Sequence, residues 1–338
     1  MGGDRAPQMV IDGANIARKR FPDVHYLLFG DEARLIPLLD KAPALKALCE
    51  IRHTPEFVAN EDKPSVALRS GRRSSMRLSI DAVDSGEAAA VVSAGNTGAL
   101  MAMAKIVLRM VPGIDRPAIG SYFPTLRGES VMLDLGANVE CDADNLVQFA
   151  VMGEVFARTV FGVSQPSIGL LNVGAEEQKG HDEVRAAAAM LRDTALPIRF
   201  HGFVEGNDIT AGTVDVVVTD GFSGNIALKT AEGTAKLYSE FLRGAFRSSF
   251  IARVGYLFAR HALNKVRKRI DPRRYNGALF LGLNGIVVKS HGGTDALGFA
   301  NAIGVAVDMS IHGFLEKIKS ELALLHPDPD AAPEAALG

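Results

Sequence analysis

The sequence predicts an α/β protein. Three observations carry that prediction: apolar runs of strand length, helix-forming stretches that follow them, and small polar, glycine-rich turns between the two. The clearest case is the run Ala88–Val92, the turn Ser93-Ala94-Gly95-Asn96-Thr97-Gly98, and the helix former Ala99–Leu108. The arrangement recurs as Val214–Thr219, Asp220-Gly221-Phe222-Ser223-Gly224-Asn225 and Ile226–Lys229. A turn of this kind leaves unpaired N–H groups pointing outward, and the helix dipole adds positive potential, so it suits an anion. Either turn alone is equally an ordinary tight turn. As a pair they suggest one shared cleft.

The 338 residues are 47% hydrophobic and 22% charged, enough for a substantial core in two domains or one large α/β unit. Two cysteines, Cys49 and Cys141, exclude a disulfide framework and fit a reducing, cytoplasmic compartment. Residues 1–20 contain Asp4, Arg5 and Asp12 and no apolar core, unlike a secretory signal. No stretch reaches the roughly 18–20 apolar residues of a membrane span. A net charge of −2 argues against bulk nucleic-acid binding.

Taken in order, residues 7–20 read as a helix, 25–30 as a strand, 31–48 as helical and 50–54 as a short strand, with Cys49 among helical core residues. Residues 62–76 read as a helix followed by a basic, hydroxyl-rich stretch. There Arg69, Arg72 and Arg73 form either a solvated face or a contact for an anionic partner. Strands are predicted over 117–124 and 130–135, a helix over 144–160, and a strand over 167–173 leading to Gly174–Gly180. A helix over 181–191, a strand over 198–203 and a turn at 205–208 follow.

From Glu232 the pattern changes to one long helical segment, with Leu242, Phe246, Phe250, Val254, Leu257 and Phe258 on one stripe. Between Arg243 and Arg274 there are ten basic residues and one acid, Asp271. The segment is a dimerisation arm, a helix packed on the core, or an interfacial helix against an anionic membrane surface, where each basic residue contributes about 1 kcal/mol. Strands over 276–283 and 286–289 lead to Ser290-His291-Gly292-Gly293. A helix over 295–325 precedes a disordered tail at 327–338.

Several familiar signatures are missing. There is no G-x-G-x-x-G, no G-x-x-x-x-G-K-[ST], no G-x-S-x-G, and no His/Asp/Glu cluster with metal spacing, so neither cofactor nor metal is expected. Neither cysteine has the context of a nucleophile. What remains is a set of polar, glycine-rich strand ends, which suits an anion plus a developing oxyanion without a covalent intermediate.

Met1-Gly2-Gly3-Asp4, K-P-S-x-A-x-R at 63–69, S-S-M at 74–76, V-S-A-G-N-T-G-A-L-M at 92–101 and D-L-G-A-N-V at 134–139 form one ordered series. L-L-N-V-G-x-E-x-x-K-G at 170–180, D-G-F-S-G-N at 220–225, Y-N-G-A at 275–278 and V-K-S-H-G at 288–292 continue it. Up to about residue 325 the chain resembles the PlsX family of phosphate acyltransferases. The resemblance implies transfer of a long acyl chain from acyl-acyl carrier protein to inorganic phosphate. It also implies a three-layer α/β/α fold with a mixed sheet, similar to the isocitrate/isopropylmalate dehydrogenases and the phosphotransacetylases. On that basis residues 1–325 form one catalytic unit of two intertwined lobes, with a protruding helical arm at 236–270. A homodimer peripherally attached to the membrane is implied as well.

By the same resemblance Lys179 and Asn225 match the proposed catalytic pair. Lysine can neutralise phosphate or charge on the thioester oxygen, and the amide can donate to that oxygen without titrating. The plain alternatives are a loop lysine and a helix-capping asparagine. Gly2, Gly3, Asp4, Ser93, Gly95, Asn96, Thr97, Gly98, Asn138, Gly224, His291 and Gly292 are expected to position substrate or phosphate. Arg69, Arg72 and Arg73 are expected to dock the carrier. Family members carry a Val-Asp-Ala strand ahead of Met-Gly-Gly-Asp, which suggests a start assigned too late or a missing core strand. The rival readings are a short-chain acyl-CoA phosphotransacetylase and a non-catalytic membrane or carrier scaffold.

Overall fold

The computed structural model describes residues 1–194 and 198–325, and the predicted tail lies outside them. The first third of the chain gives α1 (Gln8–Ala17), β1 (Tyr26–Gly30), α2 (Glu32–Leu39), α3 (Pro43–Lys46), β2 (Cys49–His53), α4 (Pro64–Ser70), α5 (Ser75–Asp84), β3 (Ala90–Ser93) and α6 (Thr97–Leu108). The middle gives β4 (Ala118–Thr125), β5 (Gly128–Leu133), α7 (Ala143–Phe161), β6 (Ser167–Leu171), α8 (Asp182–Asp193), β7 (Arg199–Val204), α9 (Gly206–Ala211) and β8 (Val216–Val218). The last part gives α10 (Gly221–Arg247), α11 (Phe250–Arg269), a 3₁₀ turn at Pro272–Tyr275, β9 (Ala278–Leu281), β10 (Ile286–Lys289), α12 (Ala296–Ile311) and α13 (Phe314–Leu325).

The α/β alternation is as the sequence predicts, and the differences have local causes. Pro43 starts α3 at a new N-terminus, so 31–48 is two helices. Cys49 opens strand β2 rather than lying in a helix. Ser74 accepts from Arg77 N and caps α5, which the basic stretch had concealed. Glu205 and Asp208 form a capping box, turning the predicted 205–208 turn into the start of α9. Ser249 caps α11 and splits the long arm segment in two. Gly313, at φ +62°, ends the final helix early and lets α13 turn away.

Eight strands form one mixed sheet in the order β3-β10-β9-β4-β5-β8-β6-β7. Strands β3, β10 and β4 run one way, and β9, β5, β8, β6 and β7 the other. The period-two alternation divides two cores. Val91, Ile119, Met132, Val217, Phe280 and Val287 face α4, α5, α6 and the first turns of α10. Val131, Leu133, Val216, Val218, Leu279 and Val288 face α7, α12 and α13. This is a three-layer α/β/α arrangement.

Strands β1 and β2 pair separately, and α5 packs on both β1 and β3. Among the described residues β1 and β3 do not pair. Between them lies a cavity of about 640 Å³, lined by both strands and by side chains of α1, α5 and α12. It has the walls of a strand position: an unpaired edge on either side and helices above and below.

Candidate functional site

Two groups of strand-end loops gather most of the predicted residues. The first stands at the carboxyl ends of the neighbouring parallel strands β3 and β10, where Ser93 and Lys289 are in register. Gly2 and Gly3 lie against Val58 and Ala94 of this group, so close that a side chain at either would meet backbone oxygen. Asp4 Oδ1 accepts from Asn60 Nδ2 at 2.6 Å. Asn96 Oδ1 accepts from Ala99 N at 2.9 Å and caps α6, while its Nδ2 donates to Asn60 O and Asp62 O. With both amide protons engaged, Asn96 holds the turn. What the turn offers a ligand is the backbone N–H of Thr97 and Gly98 and the hydroxyls of Ser93 and Thr97.

On the β10 side, Ser290 N donates to Ser93 O at 2.8 Å and locks the two loops together. His291 N donates to Asn276 Oδ1, and His291 Nδ1 accepts from Gly293 N at 3.2 Å. Gly292 comes within 3.5 Å of the Asp4 carboxylate, measured from where a Cβ would sit.

The second group stands at the carboxyl ends of β5, β8 and β6, three adjacent parallel strands. Asp134, fully buried, is its hub. Its carboxylate accepts from the backbone N–H of Ile119, Gly136, Ala137 and Asn138 and from Asn138 Nδ2, at 2.7–3.0 Å. Asn138 Nδ2 also donates to Pro117 O, and Gly221 N donates to Asn138 O at 2.7 Å. Asn138 therefore braces the β5 loop to the start of α10 and has no free amide proton. Gly224 permits the contact: a Cβ there would lie 1.9 Å from Asp134 O.

Asn225, one residue on, approaches Gly136, and among the described residues its amide has no hydrogen-bond partner. Lys179, in the β6 loop, is exposed, and its Nζ donates to Glu176 Oε1 at 2.8 Å. That bond holds the ammonium pKa above its ordinary value. Asn172 Nδ2 donates to Lys179 O and folds the loop back over its own strand. Lys179 thus stands in the loop after β6, and Asn225 near the start of α10, which follows the neighbouring strand β8.

Among the described residues no hydrogen bond or ion pair joins the two groups, and β3 and β8 run in opposite directions, five strand steps apart. Arg69, in the last turn of α4, and Arg72 and Arg73, between α4 and α5, lie exposed beside the first group, with Thr54 Oγ1 donating to Arg73 O. In the arm, Phe250, Leu257 and Phe258 are exposed and Val254 is half-exposed. Phe246 differs: its ring meets Tyr256 edge-on at 5.4 Å and fastens α10 to α11. Sequence reasoning missed Asp134, Glu176 and Lys289 as site residues, although each lies within a motif that it singled out. The i,i+3 spacing of Glu176 and Lys179 was the available signal for that pair.

The architecture is that of the phosphotransacetylases. A phosphotransacetylase from Streptococcus pyogenes superposes with a TM-score of 0.58 at 17% identity, covering 90% of this chain and 92% of that one. A branched-chain phosphotransacylase from Enterococcus faecalis gives 0.53 at 11% identity, covering 91% and 96%. The fatty acid synthesis protein family matches residues 1–317, and the chain belongs to it. The phosphate acyltransferase of Rhodospirillum centenum is 71% identical over 332 residues, 98% of this chain and 94% of that one. That of Paramagnetospirillum magneticum is 64% identical over 338 residues, covering 100% and 96%. The chain is accordingly an enzyme of the acyltransferase class.

Proposed function

We propose that the protein transfers a long-chain acyl group from acyl-acyl carrier protein to inorganic phosphate, releasing acyl phosphate and carrier thiol. A phosphate oxygen attacks the thioester carbonyl, the carbonyl oxygen takes up negative charge, and the C–S bond then breaks. Lys179 and Asn225 stabilise that charge, and one such donor is worth about 2.7–4 kcal/mol. The observation that carries this reading is the Asn225 amide, which among the described residues has no hydrogen-bond partner, at the end of β8, the strand that pairs with the one whose loop carries Lys179.

Attack is direct, with no acyl-enzyme. Burial pushes the Cys49 thiol up to about 11 and the Cys141 thiol up to about 12, so neither supplies a thiolate nucleophile near neutral pH. Sheet twist supports a common cleft. With about 20–25° per strand, diagonally opposite corners of a sheet curl toward the same face. The β3 end is such a corner, the β8 end stands two strands in from the diagonally opposite one, and α6 and α10 start from them onto one face. In this reading the first group positions phosphate and the second handles the thioester oxygen. Arg69, Arg72 and Arg73 dock the acidic carrier, and the arm joins a homodimer to an anionic membrane surface from the cytoplasm.

The test is thiol release from long-chain acyl-acyl carrier protein by purified protein, with and without phosphate. Phosphate-dependent release is expected, with kcat falling about 10²–10³-fold in Lys179→Ala and in Asn225→Ala. Preference for a short-chain CoA thioester would replace the carrier with CoA in this scheme. Full function in Lys179→Ala would reduce the protein to a scaffold.

A further inference from the structure

Lys289 is a charged side chain beside the first group that this scheme leaves unused. It ends β10 in register with Ser93, and the alternation that turns Val287 toward α6 turns Lys289 to the same side. It therefore stands on the side of the sheet from which α6 starts, within the group formed by Gly2–Asp4, Ser93–Gly98 and Ser290–Gly293. Its Nζ donates to Ser290 O, the one hydrogen bond it makes among the described residues. Among the described residues no carboxylate forms an ion pair with it. Asp4 is the charge that bears on it, and Asp4 Oδ1 is already bonded to Asn60. Glu61, Asp62 and Lys63 stand at the rim ahead of α4, and His291 is exposed on the loop beyond.

A partly buried ammonium with one backbone acceptor retains two donors. Beside it, the first turn of α6 presents unpaired N–H groups and positive potential. Two positive features at the ends of adjacent parallel strands repel each other unless an anion lies between them. We infer that Lys289 holds the oxyanion of the acceptor phosphate in the first group, together with the N–H groups of Thr97 and Gly98. Burial supports this: it lowers the ammonium pKa to about 8, against the partial opposition of Asp4, as expected for a site completed by an anion.

The inference rests on the phosphate-acceptor reading above, and its test separates the two. Thiol release by the full chain is measured while phosphate and acyl-carrier thioester are varied in turn. In Lys289→Met the KM for phosphate should rise roughly tenfold to a hundredfold, with the KM for thioester unchanged and partial recovery in Lys289→Arg. Sulfate, which does not titrate in this range, should compete with phosphate and weaken above pH 8 in the wild type only. An unchanged phosphate KM in a folded Lys289→Met, or a rise confined to the thioester, overturns the assignment. Should that variant not fold, calorimetric titration of the wild type with sulfate decides: loss of affinity above pH 8 supports it, and a flat profile overturns it. Phosphate binding that depends on Lys289 without any phosphate-dependent thiol release would remove the proposed reaction and leave the site.

Discussion

Asp134 has no exposed surface and accepts five hydrogen bonds, four of them from backbone N–H groups. Removing the carboxylate strands those donors in a low-dielectric interior, so Asp134→Ala is expected to cost about 3 kcal/mol or more in denaturant unfolding. A midpoint matching the wild type would refute that role. Gly224→Ala should displace the start of α10 from Asp134 O and carry Asn225 with it. Turnover should then fall more than stability does. The two thiols offer a third check. With pKa values of about 11 and 12, about one Cys49 in a thousand is thiolate at pH 8. Intact-mass measurement should find both cysteines essentially unlabelled by iodoacetamide in the native protein and labelled rapidly after unfolding.

Helix α10 joins chemistry to surface. Its first turn holds Asn225, and its last turns run into the arm. The apolar stripe from Leu242 to Phe258 was legible because helical spacing exposes its own periodicity. The sequence could not show that Phe246 closes on Tyr256 while Phe258 stays 86% exposed. Both are aromatic residues on the same stripe, and only the bend at Ser248–Ser249 sorts them. Phe258→Asp and Phe250→Asp are therefore expected to weaken binding to anionic vesicles in co-sedimentation and to spare turnover of a soluble thioester. Since no residue of α11 is buried, its amides should exchange far faster than those of β5 and β8, and slow down when such vesicles are added.

At the scale of the whole molecule, Lys289 also bears on stability. The unfolded chain binds its proton up to about pH 10.4, the folded one only to about 8. Between those values the unfolded state holds more protons, so this residue makes stability rise with pH there, and its penalty is complete below pH 8. Lys289→Met should thus be more stable than the wild type at pH 7, with the gap closing toward pH 10. A lysine whose pKa folding had raised, by giving it an acidic partner, would show the opposite sign.

The sequence by itself determined the order of strands and helices, the class of fold and the family. Those depend on local periodicity, turn chemistry and motifs, all written along the chain. It also marked both glycine–asparagine turns. Only the tertiary structure decided that their strands run in opposite directions, that Asn96 and Asn138 spend their amides on holding loops, and that Asn225 bonds with none of the described residues through its own. Strand direction and hydrogen-bond satisfaction are set by residues far apart in the chain, such as Asp134 with Ile119 or Asn96 with Asn60, and no local pattern encodes that pairing.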